Sequence, residues 1–427
     1  MVAAILGVPI SAAAFGFLAL VSYLQEELFT HLPHGLGFAT APAWWPLPML
    51  LIGGVLTGLA IRYLPGNGGP SPAGGFKFHP PPTPVQLPGV ILAALATLAF
   101  GAVLGPEMPL IALGGGLGVL ATRAARRRQL PAQAVQVLGV TGSFAAISTL
   151  LGSPITGAFL LMEASGLGGP TLSLTLLPGL LASGVGALIF LGLGDLTGLG
   201  TFALAIPNLQ HFARPDLAEF GWAIVIGLAA ALIGPAIHRI GLFLHAYATR
   251  WTMIVVPLAG VAVALLTIIY TEATGKPASN VLFSGQDDMG TLIQNAASYS
   301  VGALVLLLVC KSLAYAVSLS SFRGGPIFPA LFIGATGGIA LSHLPGLPLV
   351  AGVAMGLGAM SVVMLRLPLT SVLLPSILLA SDALAVMPLV IVAVVVAHVA
   401  AAHVGSRPAA ADPTAAGPPV ARATPRG

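Results

Sequence analysis

Glu107 is the residue whose type and setting most clearly indicate chemistry. It is the only charged side chain between Lys77 and Arg123, and most of the residues around it are apolar. An ionised carboxylate inside a bilayer costs several kcal/mol, so acidic residues at membrane depth usually bind ions or carry protons. The sequence therefore predicts an ion or proton site at Glu107.

Two loops rich in glycine and proline could supply the partners of an anion. Residues 65–70 read Pro-Gly-Asn-Gly-Gly-Pro, and residues 324–329 read Gly-Gly-Pro-Ile-Phe-Pro. Backbone N–H groups in such loops, and at the helix N-termini that we expect directly after them, can bind anions. The alternatives are an ordinary turn for the first loop and a helix cap without a ligand for the second.

The composition is typical of a polytopic membrane protein. Of the 427 residues 57% are hydrophobic and only 7% are charged, with 54 glycines and 36 prolines. The net charge of +4 comes from scarce acids rather than from a basic patch, so we expect no nucleic-acid partner. The single cysteine, Cys310, excludes an internal disulfide, and no Cys/His spacing predicts a metal site. We expect no cofactor.

The order of apolar segments predicts the fold class. They follow one another from the N-terminus to about residue 404, and several are shorter than the roughly 20 residues that span a bilayer. Interruption by glycine and proline is typical of helices that end inside the membrane around a binding site. We predict an all-α polytopic membrane protein with many short, tilted or broken helices, in which residues 2–23 form a retained helix rather than a cleaved signal.

A weak internal repeat divides this membrane domain, residues 1–404, into halves of about 1–205 and 206–404. Glycine-proline segments at 105–109 and 152–157 recur in the same order at 325–329 and 366–371, and residues 197–217 would link the halves. Residues 405–427 are rich in Pro and Ala and are predicted to be disordered. The positive-inside rule places two arginine clusters in the cytoplasm. They are Arg123, Arg126, Arg127 and Arg128, and then Arg407, Arg422 and Arg426.

At this point the sequence resembles the CLC family of chloride channels and chloride/proton antiporters. Three segments look like the family signatures GSGIP, GxEGP and GxFxP: Gly66-Asn67-Gly68-Gly69-Pro70, Gly105-Pro106-Glu107-Met108-Pro109 and Gly325-Pro326-Ile327-Phe328-Pro329. Residues 152–157 and 366–370 look like the family's APLAG and RAPLTG segments, so the resemblance covers about 53–404. It implies a CLC-like inverted repeat without cytoplasmic CBS domains, a homodimer, and a prokaryotic inner-membrane location.

The resemblance also implies roles for individual residues. Glu107 would be the gating glutamate and proton acceptor, which competes with the anion. The anion-binding residues would be Asn67, Gly68, Gly325, Ile327 and Phe328. Glu163 is the candidate for an inner proton relay, but it matches the first of the family's two adjacent glutamates, and Ala164 stands in the second place. A structural role for Glu163 is the open alternative.

The sequence departs from the family pattern in four ways. Asn67 replaces a serine, Met108 replaces a glycine, and Ala410 stands where the family has an anion-coordinating tyrosine. In the GxFxP segment the phenylalanine, Phe328, comes one position late. The expected function is transport of chloride, with fluoride or nitrate left open, through a path gated by protonation of Glu107, as a channel or a chloride/proton exchanger. The alternative is an intramembrane enzyme that uses Glu107 and Glu163 as a pair of buried carboxylates, which would require the two groups to lie within hydrogen-bond reach.

Overall fold

A computed structural model describes residues 2–124, 131–151, 153–166, 169–204, 211–212, 214–379 and 382–405. The predicted arginine positions Arg126, Arg127 and Arg128, residue Gly152 and all residues after 405, including Ala410 and the C-terminal tail, lie outside these ranges. Helices dominate the described part. Its one isolated β-bridge joins Gly105 to Gly325.

Helices of the N-terminal half precede a segment around residue 205. They are α1 (Val2–Glu26), α2 (Leu32–Gly35), α3 (Pro46–Tyr63), α4 (Leu87–Leu98), α5 (Glu107–Ala124), α6 (Ala132–Ala146), α7 (Pro154–Ser165) and α8 (Gly169–Thr197). A π-helical turn, Glu27–His31, joins α1 to α2.

The C-terminal half has a closely similar series. It contains α9 (Leu217–Arg250), α10 (Thr252–Thr274), α11 (Gln286–Gln294), α12 (Val301–Ser321), α13 (Ile327–Ser342), α14 (Leu349–Leu365), α15 (Pro368–Leu378) and α16 (Ala383–Gly405).

Packing between helices repeats from one half to the other. Helix α5 packs on α6 as α13 packs on α14, and α6 packs on α8 as α14 packs on α16. Helix α1 packs on α8 as α9 packs on α16. The predicted fold class, a repeat of two helical halves, is confirmed. The boundary near residue 205 stays a prediction, because residues 205–210 lie outside the described part of the chain.

Paired glycines explain how the central helices pack so closely in both halves. A Cβ atom on Gly142 of α6 would lie 2.1 Å from the carbonyl oxygen of Gly114 in α5, and a Cβ on Gly356 of α14 would lie 2.1 Å from the carbonyl oxygen of Gly334 in α13. Small residues allow helix backbones in a membrane to approach to van der Waals contact. The abundance of glycine in this sequence therefore serves the packing of α5 on α6 and of α13 on α14.

Helix length separates membrane-spanning helices from those that end in the protein interior. Among the described residues seven helices are long and apolar enough to cross a membrane. Helix α13, with 16 residues, is only about 24 Å long at 1.5 Å per residue, which is shorter than the hydrocarbon layer. The predicted short helices are confirmed, and their ends can meet inside the protein.

One expectation about helix position is wrong. No α-helix follows the glycine loop at residues 66–70; a single 3₁₀ turn, Pro72–Gly74, comes next, and α4 begins only at Leu87. The intervening chain carries prolines at positions 80, 81, 82 and 84. Proline lacks the N–H donor and pushes the preceding residue toward extended backbone, so this stretch cannot form a regular helix.

Candidate functional site

The N-termini of α5 and α13 meet through the backbone of two glycines. Gly105 N–H donates to the Gly325 carbonyl at 2.8 Å, and Gly325 N–H donates to the Gly105 carbonyl at 2.6 Å. A Cβ on Gly325 would lie 2.0 Å from Glu107 Cδ, and a Cβ on Gly105 would lie 2.1 Å from Glu107 Oε2. Only glycine at both positions leaves room for the carboxyl group of Glu107 beside the two bridged backbone segments.

Glu107 places its carboxyl group at the N-terminus of the facing helix. The residue is 0% exposed, and its Oε1 accepts a hydrogen bond from the backbone N–H of Ile327, the first residue of α13. The N–H groups of Phe328 and of Glu107 itself lie near the same carboxyl group. Its other oxygen, Oε2, is buried without a hydrogen-bond partner among the described residues. Because a helix N-terminus is a natural anion site, this carboxylate lies where a free anion would bind.

The start of α13 leaves its donors open for this contact. Pro326 is the N-cap residue and provides no side-chain oxygen, so the first N–H groups of the helix are not satisfied by a cap. The hydroxyl of Tyr315, a fully buried residue of α12, donates to the Pro326 carbonyl at 2.8 Å. Tyr315 therefore fixes the loop that aims the Ile327 N–H at Glu107.

The loop with Asn67 and Gly68 lies at a different place. Asn67 is exposed with φ +51°, and it lines a polar cavity of about 320 Å³ together with Arg62 and Arg323. Gly68 is buried, and a Cβ there would lie 2.9 Å from the Cβ of Ala93. The structure thus brings this loop to Arg323, just before Gly325. No hydrogen bond between described residues joins Asn67 to Glu107.

Glu163 bonds to the N-terminus of another helix of the second half. Its Oε1 accepts from the Leu369 N–H at 2.9 Å, and its Oε2 accepts from the Thr370 N–H at 2.8 Å and the Thr370 hydroxyl at 2.6 Å. The side chain is partly exposed. These three bonds make Glu163 a cap of α15 supplied by α7.

The two glutamates do not form a pair, which removes the basis of the enzyme alternative. Glu107 bonds at the start of α13 and Glu163 at the start of α15. Paired-carboxylate chemistry requires the two groups within hydrogen-bond reach of one another or of a shared water. Within the described ranges no group of three or more His, Cys, Asp or Glu residues could hold a metal ion.

Sequence reasoning missed a buried cation on α12. Lys311 is 0% exposed; its Nζ donates to the carbonyls of Leu282 at 2.9 Å and Phe283 at 3.2 Å and lies 4.5 Å from the ring centre of Phe332. Lys311 is the only charged residue of α12, so the signal that identified Glu107 was present here as well. Tyr315 gave no comparable signal.

Two acids lie next to the segment that leads into α5. Asp287 and Asp288 line a small cavity with Leu104 and Pro106, and Asp288 accepts a hydrogen bond from the Ser279 hydroxyl at 3.1 Å. Partial loss of hydration raises the pKa of both carboxyl groups, although Asp287 is exposed, and for Asp287 the charge of Asp288 raises the pKa further. Two carboxyl groups therefore line the cavity next to Pro106.

Comparisons with known proteins agree with this architecture. A model of the family described as "Voltage gated chloride channel" matches residues 53–402. The chain is 31% identical over 350 residues to YfeO of Escherichia coli K12, which is named as an ion-transport protein; the match covers 80% of this chain and 79% of that protein.

Two solved structures share the fold at low identity. A slow cyanobacterial Cl⁻/H⁺ antiporter has a TM-score of 0.72 at 19% identity, with 94% of each chain covered. A CLC-type fluoride/proton antiporter has a TM-score of 0.61 at 18% identity, with 93% of each chain covered. At these identities the likeness concerns the fold.

Proposed function

The chain belongs to the voltage-gated chloride channel family, and on this basis we propose that it carries chloride or another small anion along a path gated by protonation of Glu107. The family and the seven long apolar helices make it an integral membrane protein. One observation carries the proposal: the Glu107 carboxyl group accepts a hydrogen bond from the N–H that begins α13. That donor is the kind of group that binds a dehydrated anion in a membrane.

Competition for one set of donors gives the gate its mechanism. In the ionised state the Glu107 carboxylate occupies the start of α13 and excludes an anion by charge and by volume. Protonation removes the negative charge, weakens the bond to the Ile327 N–H, and lets an anion take the same donors. Oε2 is the oxygen that lacks a partner and can accept the proton.

The anion-binding residues of the proposal fall into two groups. Gly325, Ile327 and Phe328 surround the Glu107 carboxyl group. Ile327 and Phe328 offer backbone N–H groups, whereas the Gly325 N–H donates to the Gly105 carbonyl. Asn67 and Gly68 belong to the loop beside Arg323, where an Asn amide can also donate to an anion. We propose that the path connects these two places, since Arg323 precedes Gly325 by only two residues.

For Glu163 a proton-relay role stays a prediction. Both of its oxygens already accept hydrogen bonds from the start of α15, which favours a capping role. A relay would require these bonds to break and re-form as protons pass. Whether the protein is a channel or an exchanger depends on this point.

The test is chloride efflux from liposomes with simultaneous recording of pH. We expect chloride efflux that depends on the reconstituted protein. Uphill proton movement driven by the chloride gradient would establish exchange, and efflux without it would establish a channel. Absence of anion flux from folded, reconstituted protein would contradict the proposal.

We also propose a homodimer in a prokaryotic inner membrane. The support is the family resemblance, the bacterial origin of the relative YfeO, and exposed leucines such as Leu188 and Leu191 on α8, which suit a lipid or protein neighbour. Mass measurement of the purified protein in detergent tests the subunit number. A single-chain mass would contradict it.

A further inference from the structure

The cavity that contains Asn67 is lined mostly by polar side chains, and two of these are the arginines Arg62 and Arg323. It measures about 320 Å³ and lies between the end of α3, helices α9 and α10, and the segment after α12. Its lining residues are Ile61, Arg62, Asn67, His245, Ala248, Thr249, Thr252, Val256, Ser320, Ser321 and Arg323. No Asp or Glu is among them, so the fixed charge of the cavity is positive.

Arg323 has no ion-pair partner among the described residues. The side chain is partly buried, its Nη1 donates to the Phe322 carbonyl at 3.1 Å, and its Nε is buried without a hydrogen-bond partner. The ion pairs found in the described part of the chain all involve histidine, so no carboxylate balances Arg323 or Arg62 there. Because the lining carries the positive charges of Arg323 and Arg62 and no acid, the cavity favours an anion from solution.

The shape of the Arg323 guanidinium also indicates which class of anion the cavity would bind. Its N–H groups form a planar fork that matches two oxygens of a carboxylate, nitrate or phosphate, whereas a single-atom halide gains nothing from the fork that an ammonium would not also provide. The cavity volume is several times the roughly 30 Å³ of one water molecule, so an anion of three or four heavy atoms fits with water around it.

We propose that this cavity is a binding site for a small oxyanion, held by the Arg323 guanidinium with Asn67 as a further donor. The proposal rests on the anion transport proposed above and adds a substrate preference to it. The Glu107 end of the path offers backbone N–H groups that do not discriminate between anions by shape, so the preference for oxyanions arises at Arg323.

The experiment is calorimetric titration of the whole protein in detergent with nitrate, chloride and thiocyanate. Thiocyanate controls for the general preference of proteins for weakly hydrated anions, because it has no pair of oxygens. The variants are Arg323→Lys, which keeps the charge and removes the fork, and the matched control Arg239→Lys, whose guanidinium lies on the exposed surface and donates to the Val404 carbonyl.

We expect Arg323→Lys to weaken nitrate binding at least about tenfold and chloride or thiocyanate binding less than about threefold. Arg239→Lys leaves all three affinities unchanged. Equal weakening of all three anions, or no weakening of nitrate, overturns the proposal. If Arg323→Lys does not fold, the affinities of the wild-type protein for nitrate and thiocyanate are the test. We expect nitrate to bind at least about tenfold more tightly than thiocyanate, and a smaller difference overturns the proposal.

These results are separable from those on transport. Absence of both chloride and nitrate efflux together with nitrate binding that depends on Arg323 would contradict only the transport proposal. Normal efflux together with nitrate affinity that is unchanged in Arg323→Lys would contradict only the oxyanion site.

Discussion

Glu107 and Glu163 are two lone carboxylates of the first half, and each bonds to a helix N-terminus of the second half. They differ in how many hydrogen bonds their carboxylate oxygens accept. Glu163 accepts three hydrogen bonds shared between both oxygens and is partly exposed. Glu107 is 0% exposed, and its Oε2 has no hydrogen-bond partner among the described residues.

The difference supports the proposal that the contact made by Glu163 is a cap and the contact made by Glu107 is a gate. A fully bonded carboxylate that also reaches solvent stabilises the helix that it caps. A buried carboxylate with one unpartnered oxygen stands in an unfavourable setting, so proton uptake or replacement by an anion costs it less.

The largest expected effect is that of Glu107→Gln on gating. Wild-type anion flux should rise as pH falls, because protonation neutralises the carboxylate that blocks the path, by at most about tenfold per pH unit for one proton. The amide cannot titrate, so the variant should keep or increase flux and lose the pH dependence. Liposome efflux over a range of pH measures both properties, and an unchanged pH profile would count against the gate.

The next effect is steric and is specific to the Glu107 site. In Gly325→Ala the new Cβ would meet Glu107 Cδ at 2.0 Å, and we expect a loss of about 2 kcal/mol in the free energy of unfolding. In a Glu107→Ala background the same substitution should cost less than about 0.5 kcal/mol, because the clashing side chain is gone. Denaturant titrations in detergent micelles measure the cycle.

The control for this cycle is Gly337→Ala, where the nearest atom, Leu308 Cδ1, lies 3.4 Å from the new Cβ. We expect no loss of stability there. Equal costs of Gly325→Ala in both backgrounds would show that Glu107 does not occupy the position described.

Glu163→Ala tests the capping side of the comparison. We expect a loss of about 1–2 kcal/mol in the free energy of unfolding, because the first N–H groups of α15 lose their acceptor, with anion flux per folded protein within about twofold of wild type. Normal stability combined with loss of coupled proton movement would instead favour the relay role. Efflux with pH recording distinguishes the two outcomes.

Tyr315→Phe should have a smaller effect, at the Glu107 site. Removing the hydroxyl leaves the buried Pro326 carbonyl without its donor, which costs about 1 kcal/mol of stability. The control is Tyr247→Phe, since the Tyr247 side chain is exposed. Thermal unfolding of both variants checks the difference, and equal melting temperatures would mean that Tyr315 does not hold the loop.

The smallest expected effect is that of Asp287→Asn, which lies in α11 and not at the start of α13 or α15. Partial loss of hydration and the charge of Asp288 raise the pKa of Asp287, so the folded protein loses stability as pH rises above the carboxyl group's ordinary pKa near 4. Removing the titrating group should raise Tm slightly at neutral pH and leave it unchanged in acid. A lower Tm at neutral pH would contradict this assignment.

The sequence pattern alone predicted an ion or proton site at Glu107, and only the family resemblance related Glu107 to the N–H groups of Ile327 and Phe328. A single charge in a long apolar stretch stands out, and the prolines at 326 and 329 indicate where α13 starts. The same rule applied to Lys311, which lies in the 21-residue apolar α12, would have found the second buried charge.

Other features depend on contacts between distant segments. The bonds from Glu163 to residues 369 and 370 cross more than 200 positions of the chain, and no local pattern announces them. The loop at 66–70 was expected to begin a helix, but the prolines that follow prevent one. Its position beside Arg323 follows from packing against α4, where Gly68 meets Ala93.

The central claim is that the Glu107 carboxylate and the transported anion compete for the same N–H groups. The most direct measurement is chloride affinity at neutral pH, by calorimetry, for the wild-type protein, Glu107→Ala and Glu163→Ala. We predict binding at least about tenfold tighter in Glu107→Ala, equivalent to about 1.4 kcal/mol, and an affinity within about twofold of wild type in Glu163→Ala. Equal chloride affinities in the wild-type protein and Glu107→Ala would contradict the claim.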